Sequence, residues 1–482
     1  MKKTTLILMV MLIPLAVAGS IAQERFRREA PPPDPLPGLS LPQVERHTLS
    51  NGLEMTVGRI DDTPIMYLRM IIAAGENSSP EDLPGLATFA ANILNKGAGN
   101  LNSSQVEEQI ESIGGSFTAT VYPEFSLFSL AFLEEHLDEA LDILSQMILQ
   151  PVFSKLEIDN VKRSMFYNLM QRYALPELLG KKLLYQILFQ NHPLYNMTFN
   201  EEVVKNFNRD ALMAFFEEFY RPNNARILLF GNINLQTASR KVSHYFKDWQ
   251  SKDIKKAETP PPTPNDSLKI CFVDLPQSKN VTLFLGNILP LDNIENVFSF
   301  LVFNQVLGGT TNSRLLMNLR ESKGYAFWAF SNVEFFRNFG LFYVRSMIQP
   351  DAIYNSVIEI IREIQKAKQD QLPISEIEQA KSYLIGHFPL QIRSWNDYAS
   401  RMSEIEAYNR GEEHWKKYYE SVSLVNAGDV FKTLTNTALL QPVVVIVGDH
   451  DALIAQLDRF DEVEYYDKNG NLQYKISKGE IP

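Results

Sequence analysis

The chain has 482 residues, of which 45% are hydrophobic and 21% charged, and its formal net charge is −11 at pH 7. It is too long for one ordinary domain, and its composition is typical of a globular protein with more than one core. The acidic balance argues against nucleic acid as a partner, because binding to phosphates needs clustered Lys and Arg.

The N-terminus has the pattern of a secretory signal peptide. Lys2 and Lys3 precede an apolar run over residues 6–18, which is short for a membrane-spanning helix and is followed by small residues. We therefore predict a signal peptide over residues 1–22 and expect a periplasmic or secreted protein. The proline-rich residues 23–43 that follow are predicted to form an extended tether.

A second proline-rich stretch lies near the middle of the chain. Residues 252–267 are first charged, then rich in proline, then typical of a turn, and we predict that they link two domains. The N-terminal domain would span residues 44–251 and the C-terminal domain residues 268–482. The only cysteine, Cys271, lies in an apolar run and is predicted to be buried in a strand.

The two predicted domains show the same order of elements. In each, a helical pattern leads to a glycine, then come a strand-like segment, a long amphipathic helix and a short apolar strand that ends in glycine. This order favours an α+β fold in which helices cover one face of a sheet. The strand-like segments are residues 117–132 and 325–346, the helices 137–149 and 350–368, and the closing strands 225–231 and 443–448.

Two pairs of segments match between these domains at nearly the same offset. Residues 92–97 (NILNKG) are similar to residues 304–309 (NQVLGG), and residues 114–117 (GGSF) are similar to residues 324–327 (GYAF). We interpret the matches as an internal repeat. The alternative is chance recurrence of a common helix–turn–strand pattern.

The beginning of the N-terminal domain resembles that of peptidases of the insulinase (pitrilysin) family. The resemblance rests on residues 49–54 (LSNGLE), 73–76 (AAGE) and 85–97 (GLATFAANILNKG). In the family, the helix after Gly-Leu-Ala carries an inverted zinc motif, H-x-x-E-H, whose glutamate polarises the attacking water. The resemblance implies two homologous α/β-sandwich lobes of the LuxS/metallohydrolase-like type, with helices packed on a mixed, mainly antiparallel sheet.

The positions that carry the family's chemistry hold other residues in this chain. The three motif positions correspond to Thr88, Ala91 and Asn92, and the family's third ligand, a glutamate on a later helix, corresponds to Asn168. Thr and Asn are poor zinc ligands, and Ala cannot act as a base. We therefore predict that this chain binds no metal and has no catalytic residue of its own.

The histidines offer no clear replacement for these ligands. None of the seven has a second histidine at metal-binding spacing, and the nearest candidate fragment is EHLDE at residues 135–139. A displaced metal site at His136 is one interpretation. The favoured one is a solvated helix N-terminus, where the helix dipole stabilises acidic residues.

The C-terminal domain contains a second segment that resembles the family, residues 306–327 (VLGGTTNSRLLMNLRESKGYAF). In the family this segment carries an arginine and, seven residues later, a tyrosine, which hold the substrate carbonyl and the developing oxyanion. The arginine corresponds to Arg320, and the tyrosine position holds Phe327, which has no hydroxyl. Tyr325 is a candidate replacement, because residues two apart share a face of a strand. A purely structural role for Arg320, paired with a carboxylate, is the alternative.

The resemblance also implies a function. Exported family members of this size pair with each other, and in some pairs one subunit bears zinc while the other is catalytically empty. This chain would be the empty subunit: it would help a zinc-bearing homologue to enclose unfolded peptides, and zinc would be bound by that partner. The alternative is a homodimeric peptide-binding or scaffold protein, in which residues 117–122 would be a sheet edge that accepts an extended peptide rather than an internal strand.

Overall fold

The computed structural model of the protein describes residues 43–254, 260–291, 294–409 and 417–478. The predicted signal peptide, nearly all of the predicted tether and the middle of the predicted linker lie outside the described residues. The described residues belong to one compact unit. None of the helices in these ranges is long and apolar enough to cross a membrane.

The first half of the chain builds a six-stranded sheet and a separate two-stranded ribbon. The strands are β1 (Val44–Thr48), β2 (Glu54–Arg59), β3 (Ile65–Ile72), β4 (Gly97–Ala98), β5 (Leu101–Asn102), β6 (Ser116–Val121), β7 (Ser126–Leu133) and β8 (Ala225–Gly231). The order in the first sheet is β1-β2-β8-β3-β7-β6, and β4 pairs with β5. Neighbours in the sheet are antiparallel except for β2 and β8.

Except for the helix over Pro176–Leu188, the helices of this half pack with the first sheet. They are α1 (Leu86–Ile93), α2 (Ser103–Ser112), α3 (Leu137–Leu149), α4 (Lys155–Tyr173), α5 (Pro176–Leu188), α6 (Glu201–Asn206), α7 (Arg209–Phe219) and α8 (Leu235–Phe246). The observed bounds of α3 are those predicted from its amphipathic pattern. Phe89 of α1 is fully buried and stacks on Phe207, with ring centroids 5.0 Å apart, and burying a side chain of this size contributes about 1.5–3 kcal/mol.

The second half of the chain builds a seven-stranded sheet. Its strands are β9 (Lys269–Asp274), β10 (Val281–Pro290), β11 (Ala326–Phe335), β12 (Phe339–Ile348), β13 (Val443–Gly448), β14 (Glu462–Tyr466) and β15 (Leu472–Ser477), in the order β11-β12-β10-β13-β9-β14-β15. The turn predicted near Arg337 separates β11 from β12. Cys271 lies in β9 and is fully buried, as predicted.

The helices of the second half follow a similar plan. They are α9 (Ile294–Gly308), α10 (Arg314–Leu316), α11 (Ile353–Gln369), α12 (Ile374–His387), α13 (Trp395–Tyr408), α14 (Tyr418–Leu424), α15 (Ala427–Thr435) and α16 (His450–Leu457). A π-helical turn over Met317–Ser322 continues α10. The amphipathic helix predicted over residues 350–368 begins slightly later, as α11, after a short 3-10 turn.

The topology of the two sheets confirms the predicted internal repeat and the mixed, mainly antiparallel sheets. Strands β2-β8-β3-β7-β6 and β9-β13-β10-β12-β11 have the same order and the same relative directions, with one parallel pair at the same place in each. The predicted strand over residues 117–132 is a hairpin of β6 and β7. The chain reverses after Tyr122, whose N–H donates to the carbonyl of Phe125 at 2.8 Å.

Each sheet is covered on its second face by a helix from the other half of the chain. Helix α5 packs Leu179 and Leu183 on the second sheet against Phe284, and helix α13 packs Tyr398 and Met402 on the first sheet. Sequence analysis had assigned helices to one face only. Strand β13, and β8 apart from Arg226, are apolar because both of their faces are buried. This exchange of helices joins the two sheets into one unit.

Candidate functional site

An open pocket of about 590 Å³ lies beside the edge of the first sheet. Helix α1 with the turn that follows it, the start of α2, strand β6 and helix α4 form its walls. Three of the four positions that correspond to the family's zinc motif and third ligand, Ala91, Asn92 and Asn168, line this pocket. The fourth, Thr88, is not among the lining residues and is held elsewhere.

Helix α1 is positioned by a glycine and by an acid from the preceding loop. Gly85 precedes the helix with φ of 89°, a left-handed conformation that favours glycine, and it has no side chain with which to cap the first turn. Glu76 supplies the cap: its carboxylate accepts the backbone N–H of Thr88 at 3.0 Å and also the Thr88 hydroxyl. Thr88 therefore serves the helix N-terminus, where a carboxylate is favourable.

The carboxyl group of Glu76 is buried, and this changes its acidity. Its residue is 4% exposed, and the Ser79 hydroxyl donates to its second oxygen at 3.1 Å. Desolvation raises the pKa of Glu76 from 4.5 to about 7, because it outweighs the hydrogen bonds from Thr88 and Ser79, which lower the pKa. The same Ser79 oxygen accepts the N–H of Ala87 at 3.0 Å, so the loop and the start of α1 form one hydrogen-bonded unit.

Helix α4 presents a polar stripe to the pocket. Ser154 caps the helix by accepting the N–H of Glu157 at 3.2 Å. From there Asn160, Ser164 and Asn168 recur at intervals of four residues and line the pocket together with Glu157. Residues four apart lie on one face of a helix, so the sequence of α4 places an amide at position 168 on the same wall as the other polar groups.

The pocket residues do not supply a zinc site. Zinc takes thiolate, imidazole or carboxylate ligands, whereas the motif and third-ligand positions offer a hydroxyl, a methyl group and two carboxamides. Within the described ranges no cluster of three His, Cys, Asp or Glu side chains is arranged to hold a metal. The donor set therefore does not fit the metal that the fold family implies.

The fragment around His136 lies at a helix start. His136 precedes α3, its Nδ1 is 3.4 Å from Glu139, and its Nε2 is 3.7 Å from Glu135. Both carboxylates are more than half exposed. This is the arrangement of the solvated helix N-terminus that the sequence favoured.

Arg320 lies on the π-helical turn over Met317–Ser322. Its side chain is 53% exposed, and its Nε is 3.4 Å from the carboxylate of the adjacent Glu321. The turn itself is anchored by Asn318, whose amide donates to Glu359 at 3.2 Å and to Glu363 at 2.9 Å. An irregular helical turn fixed at its base therefore presents a guanidinium to solvent.

Tyr325 and Phe327 do not follow the simple alternation expected of a strand. Strand β11 begins at Ala326, after Tyr325, and Phe327 is the extra residue of a β-bulge between Ala326 and Trp328. The Phe327 side chain is 49% exposed, whereas Tyr325 is half-buried beneath Lys323 at 6.0 Å. The bulge turns Phe327 outward. The position assigned to the family's tyrosine therefore presents an apolar ring to solvent.

Sequence analysis missed three residues of this site. Glu76 lies in a segment that was used for the resemblance, but nothing in the sequence shows that it contacts Thr88. Lys96 and Glu157 line the pocket, and each follows or begins a helix that was recognised. Lys96 is only four residues after Asn92, whereas Glu157 is distant in sequence and is brought to the pocket by the packing of α4 beside α1.

Comparison with known proteins gives consistent matches over most of the chain. The family profile described as "Insulinase (Peptidase family M16)" matches residues 57–202, and the profile "Peptidase M16 inactive domain" matches residues 206–384. The "Uncharacterized zinc protease YmxG" of Bacillus subtilis is 23% identical over 75% of this chain and 88% of its own. The "Non-peptidase homolog YmxG" of Helicobacter pylori is 24% identical over 68% of this chain and 76% of its own.

Solved structures show the same fold. The peptidase M16 inactive domain from Pseudomonas fluorescens superposes with a TM-score of 0.78 at 19% identity, over 84% of this chain and 98% of that chain. The periplasmic protease PqqL from Escherichia coli gives a TM-score of 0.72 at 13% identity, over 90% of this chain but only 50% of its own. With two profiles of one family covering more than half of its length and this fold, the chain belongs to the insulinase (M16) family of peptidases.

Proposed function

We propose that this chain is a non-catalytic insulinase-family subunit that pairs with a zinc-bearing homologue to enclose and process unfolded peptides. One observation carries the proposal: the pocket at the family's zinc position is lined by Ala91, Asn92 and Asn168 in place of a base and two metal ligands. The chain has the family fold and a pocket at this place, but the side chains at these three positions are uncharged. Cleavage would therefore depend on a partner that binds zinc.

The length of one related structure supports pairing. The PqqL chain is about twice as long as the part that superposes on this chain, since the match covers 90% of this chain and 50% of that one. This chain thus corresponds to one half of a single polypeptide that is described as a periplasmic protease. In our proposal two separate chains would provide the same combination, and both would be exported.

Arg320 would be this chain's contribution to the shared site. It is the exposed cation of an anchored turn, and its only ion-pair partner among the described residues is the adjacent, half-exposed Glu321. A fixed guanidinium stabilises the negative charge that develops on a peptide carbonyl oxygen during attack. The structural alternative, in which a carboxylate holds Arg320 in place, is weakened because the Glu321 contact is solvent-exposed.

The test is to produce this chain with and without a zinc-bearing homologue from the same organism. We expect co-elution of the two chains in size-exclusion chromatography, zinc only in the homologue, and cleavage of an unfolded peptide only by the pair. Stoichiometric zinc or cleavage with this chain alone would contradict the proposal.

A variant of Arg320 tests its role within that pair. Arg320→Ala should leave co-elution unchanged and lower the turnover of the pair by about 100-fold, the effect of removing one oxyanion donor. Arg240→Ala, at an exposed arginine on α8, is the matched control and should leave turnover unchanged. Equal turnover of both variants would make Arg320 a structural residue.

A second function, a homodimeric peptide-binding or scaffold protein, is supported by strand β6. Residues 117–122 were considered either as a sheet edge or as an internal strand, and β6 is the last strand of the first sheet, where among the described strands it pairs only with β7. Its outer hydrogen-bonding edge can accept an extended peptide. This function is favoured if peptide binding persists in the absence of any cleavage by the pair, and if N-methylation of the peptide backbone abolishes that binding.

A further inference from the structure

Several polar side chains of the pocket lack partners among the residues that the structure describes. Among the described residues, none forms a hydrogen bond or an ion pair with the side chain of Lys96, and none forms a hydrogen bond with the side chains of Asn92, Asn95 or Asn168. The other charged group in the pocket, Glu157, is 3.5 Å from the amide of Asn160 and forms no ion pair with Lys96. The walls thus present one uncompensated cation and several carboxamides that can donate hydrogen bonds.

Lys96 is held in a defined place by the backbone. It follows α1, its N–H donates to the carbonyl of Ile93 at 2.9 Å, and the next residue, Gly97, begins strand β4. Gly97 has φ of 151°, and a Cβ there would lie 3.1 Å from Val152. This close packing of Gly97 fixes the backbone of Lys96 at the pocket wall.

The pocket adjoins the sheet edge on which a peptide would pair. Phe117 and Ala119 of β6 line it, and both are half-buried on the pocket side of the strand while their neighbours are exposed. A peptide added as a strand next to β6 would therefore run past the pocket. A ligand group at its end would meet the amide side chains and Lys96.

We propose that the pocket binds the free C-terminal carboxylate of a peptide paired with β6, with Lys96 as its counter-ion and the amides of Asn92 and Asn168 as hydrogen-bond donors. This inference rests on the proposed peptide binding, and it specifies the class of ligand as peptides with a free C-terminus. A single cation matches a single carboxylate. Glu157 in the same pocket disfavours a second negative charge, so peptides with an acidic C-terminal side chain should bind less tightly.

The experiment compares two peptides that differ only at their C-terminus. A short unfolded peptide, labelled with a fluorophore at its N-terminus, is prepared as the free acid and as the C-terminal amide, and binding to the full mature chain is measured by fluorescence anisotropy. We expect the acid to bind roughly 10- to 100-fold more tightly, the range for a hydrogen bond to a charged group. Lys96→Met should abolish this preference and Lys96→Arg should retain it.

The outcomes separate this inference from the function on which it rests. Lys155→Met, at an exposed lysine outside the pocket, is the matched control and should leave the preference for the acid unchanged. If acid and amide bind equally to the unaltered chain, the carboxylate site is refuted while peptide binding stands. If neither peptide binds, peptide binding itself is refuted, and with it the site. Loss of the preference in both lysine-to-methionine variants would also refute the role of Lys96.

Discussion

Replacing Glu76 by glutamine should change how the stability of the protein depends on pH. The carboxyl group is buried under the first turn of α1, and desolvation raises its pKa from 4.5 to about 7. Glutamine resembles the protonated acid: it retains an oxygen that accepts from Thr88 and replaces the other with an amide. The difference in unfolding free energy between the wild type and Glu76→Gln therefore isolates the ionisation of this one group.

The direction in which stability changes with pH depends on whether the folded or the unfolded protein holds the proton. Between pH 4.5 and 7 the folded protein keeps a proton on Glu76 that the unfolded chain has released, so unfolding releases a proton and becomes more favourable as pH rises. The stabilisation is complete below pH 4.5 and is lost as pH rises through about 7. The shift corresponds to a loss of about 3 kcal/mol across this range, at about 1.4 kcal/mol for each pH unit.

The assay is urea unfolding of both proteins at several pH values, followed by circular dichroism. The wild type should lose about 3 kcal/mol relative to Glu76→Gln between pH 4.5 and 7, and the difference should be constant above that range. Glu81→Gln, at an exposed carboxylate in the same loop, is the control and should stay within about 0.5 kcal/mol of the wild type. If the wild type instead gains stability relative to Glu76→Gln as pH rises, the hydrogen bonds outweigh burial and the argument is wrong.

Two further predictions concern the contacts between α5 and the second sheet, and the four positions that sequence analysis assigned to the zinc ligands and the base. Glu334→Ala should destabilise the protein by about 1–3 kcal/mol in urea unfolding, because a lysine and a tyrosine of α5 and a tyrosine of β12 lose the carboxylate that they share; an unchanged midpoint would show that this network adds nothing. Restoring the family's residues (Thr88→His, Ala91→Glu, Asn92→His and Asn168→Glu) should lower stability without metal and give a rise in melting temperature on addition of zinc. No response to zinc would mean that α1 and α4 are no longer spaced to share a metal.

The sequence predicted most elements whose pattern is local. The bounds of α3, the closing strands of the two halves and the repeat between them follow from hydrophobic periodicity and from glycines at similar places. The exchange of α5 and α13 between the sheets was not predictable in this way. An amphipathic helix shows that it covers an apolar surface, but not which of two similar sheets supplies that surface.

The candidate site shows the same limit at the level of single residues. The motif positions were assigned by resemblance, and the structure brings Ala91, Asn92 and Asn168 to one pocket. The contact between Thr88 and Glu76 depends on how the loop folds over α1, and the β-bulge at Phe327 depends on pairing with β12. Both features result from tertiary contacts, which the local sequence does not specify.

In helix α1 the residues that pack the core are different from those that sequence analysis assigned to the zinc motif. Its packing is provided by Leu86, Phe89, Ala90 and Ile93, all of which are almost completely buried. Asn92 is exposed and faces the pocket, and Thr88 is satisfied by an acid of its own loop, so neither residue contributes to the core. Substitution at these two positions therefore creates no cavity in the core, whereas truncation of Phe89 would cost about 3–5 kcal/mol. The shape of the pocket is therefore set by helices that belong to the core, and its chemistry by the few side chains that the core does not need.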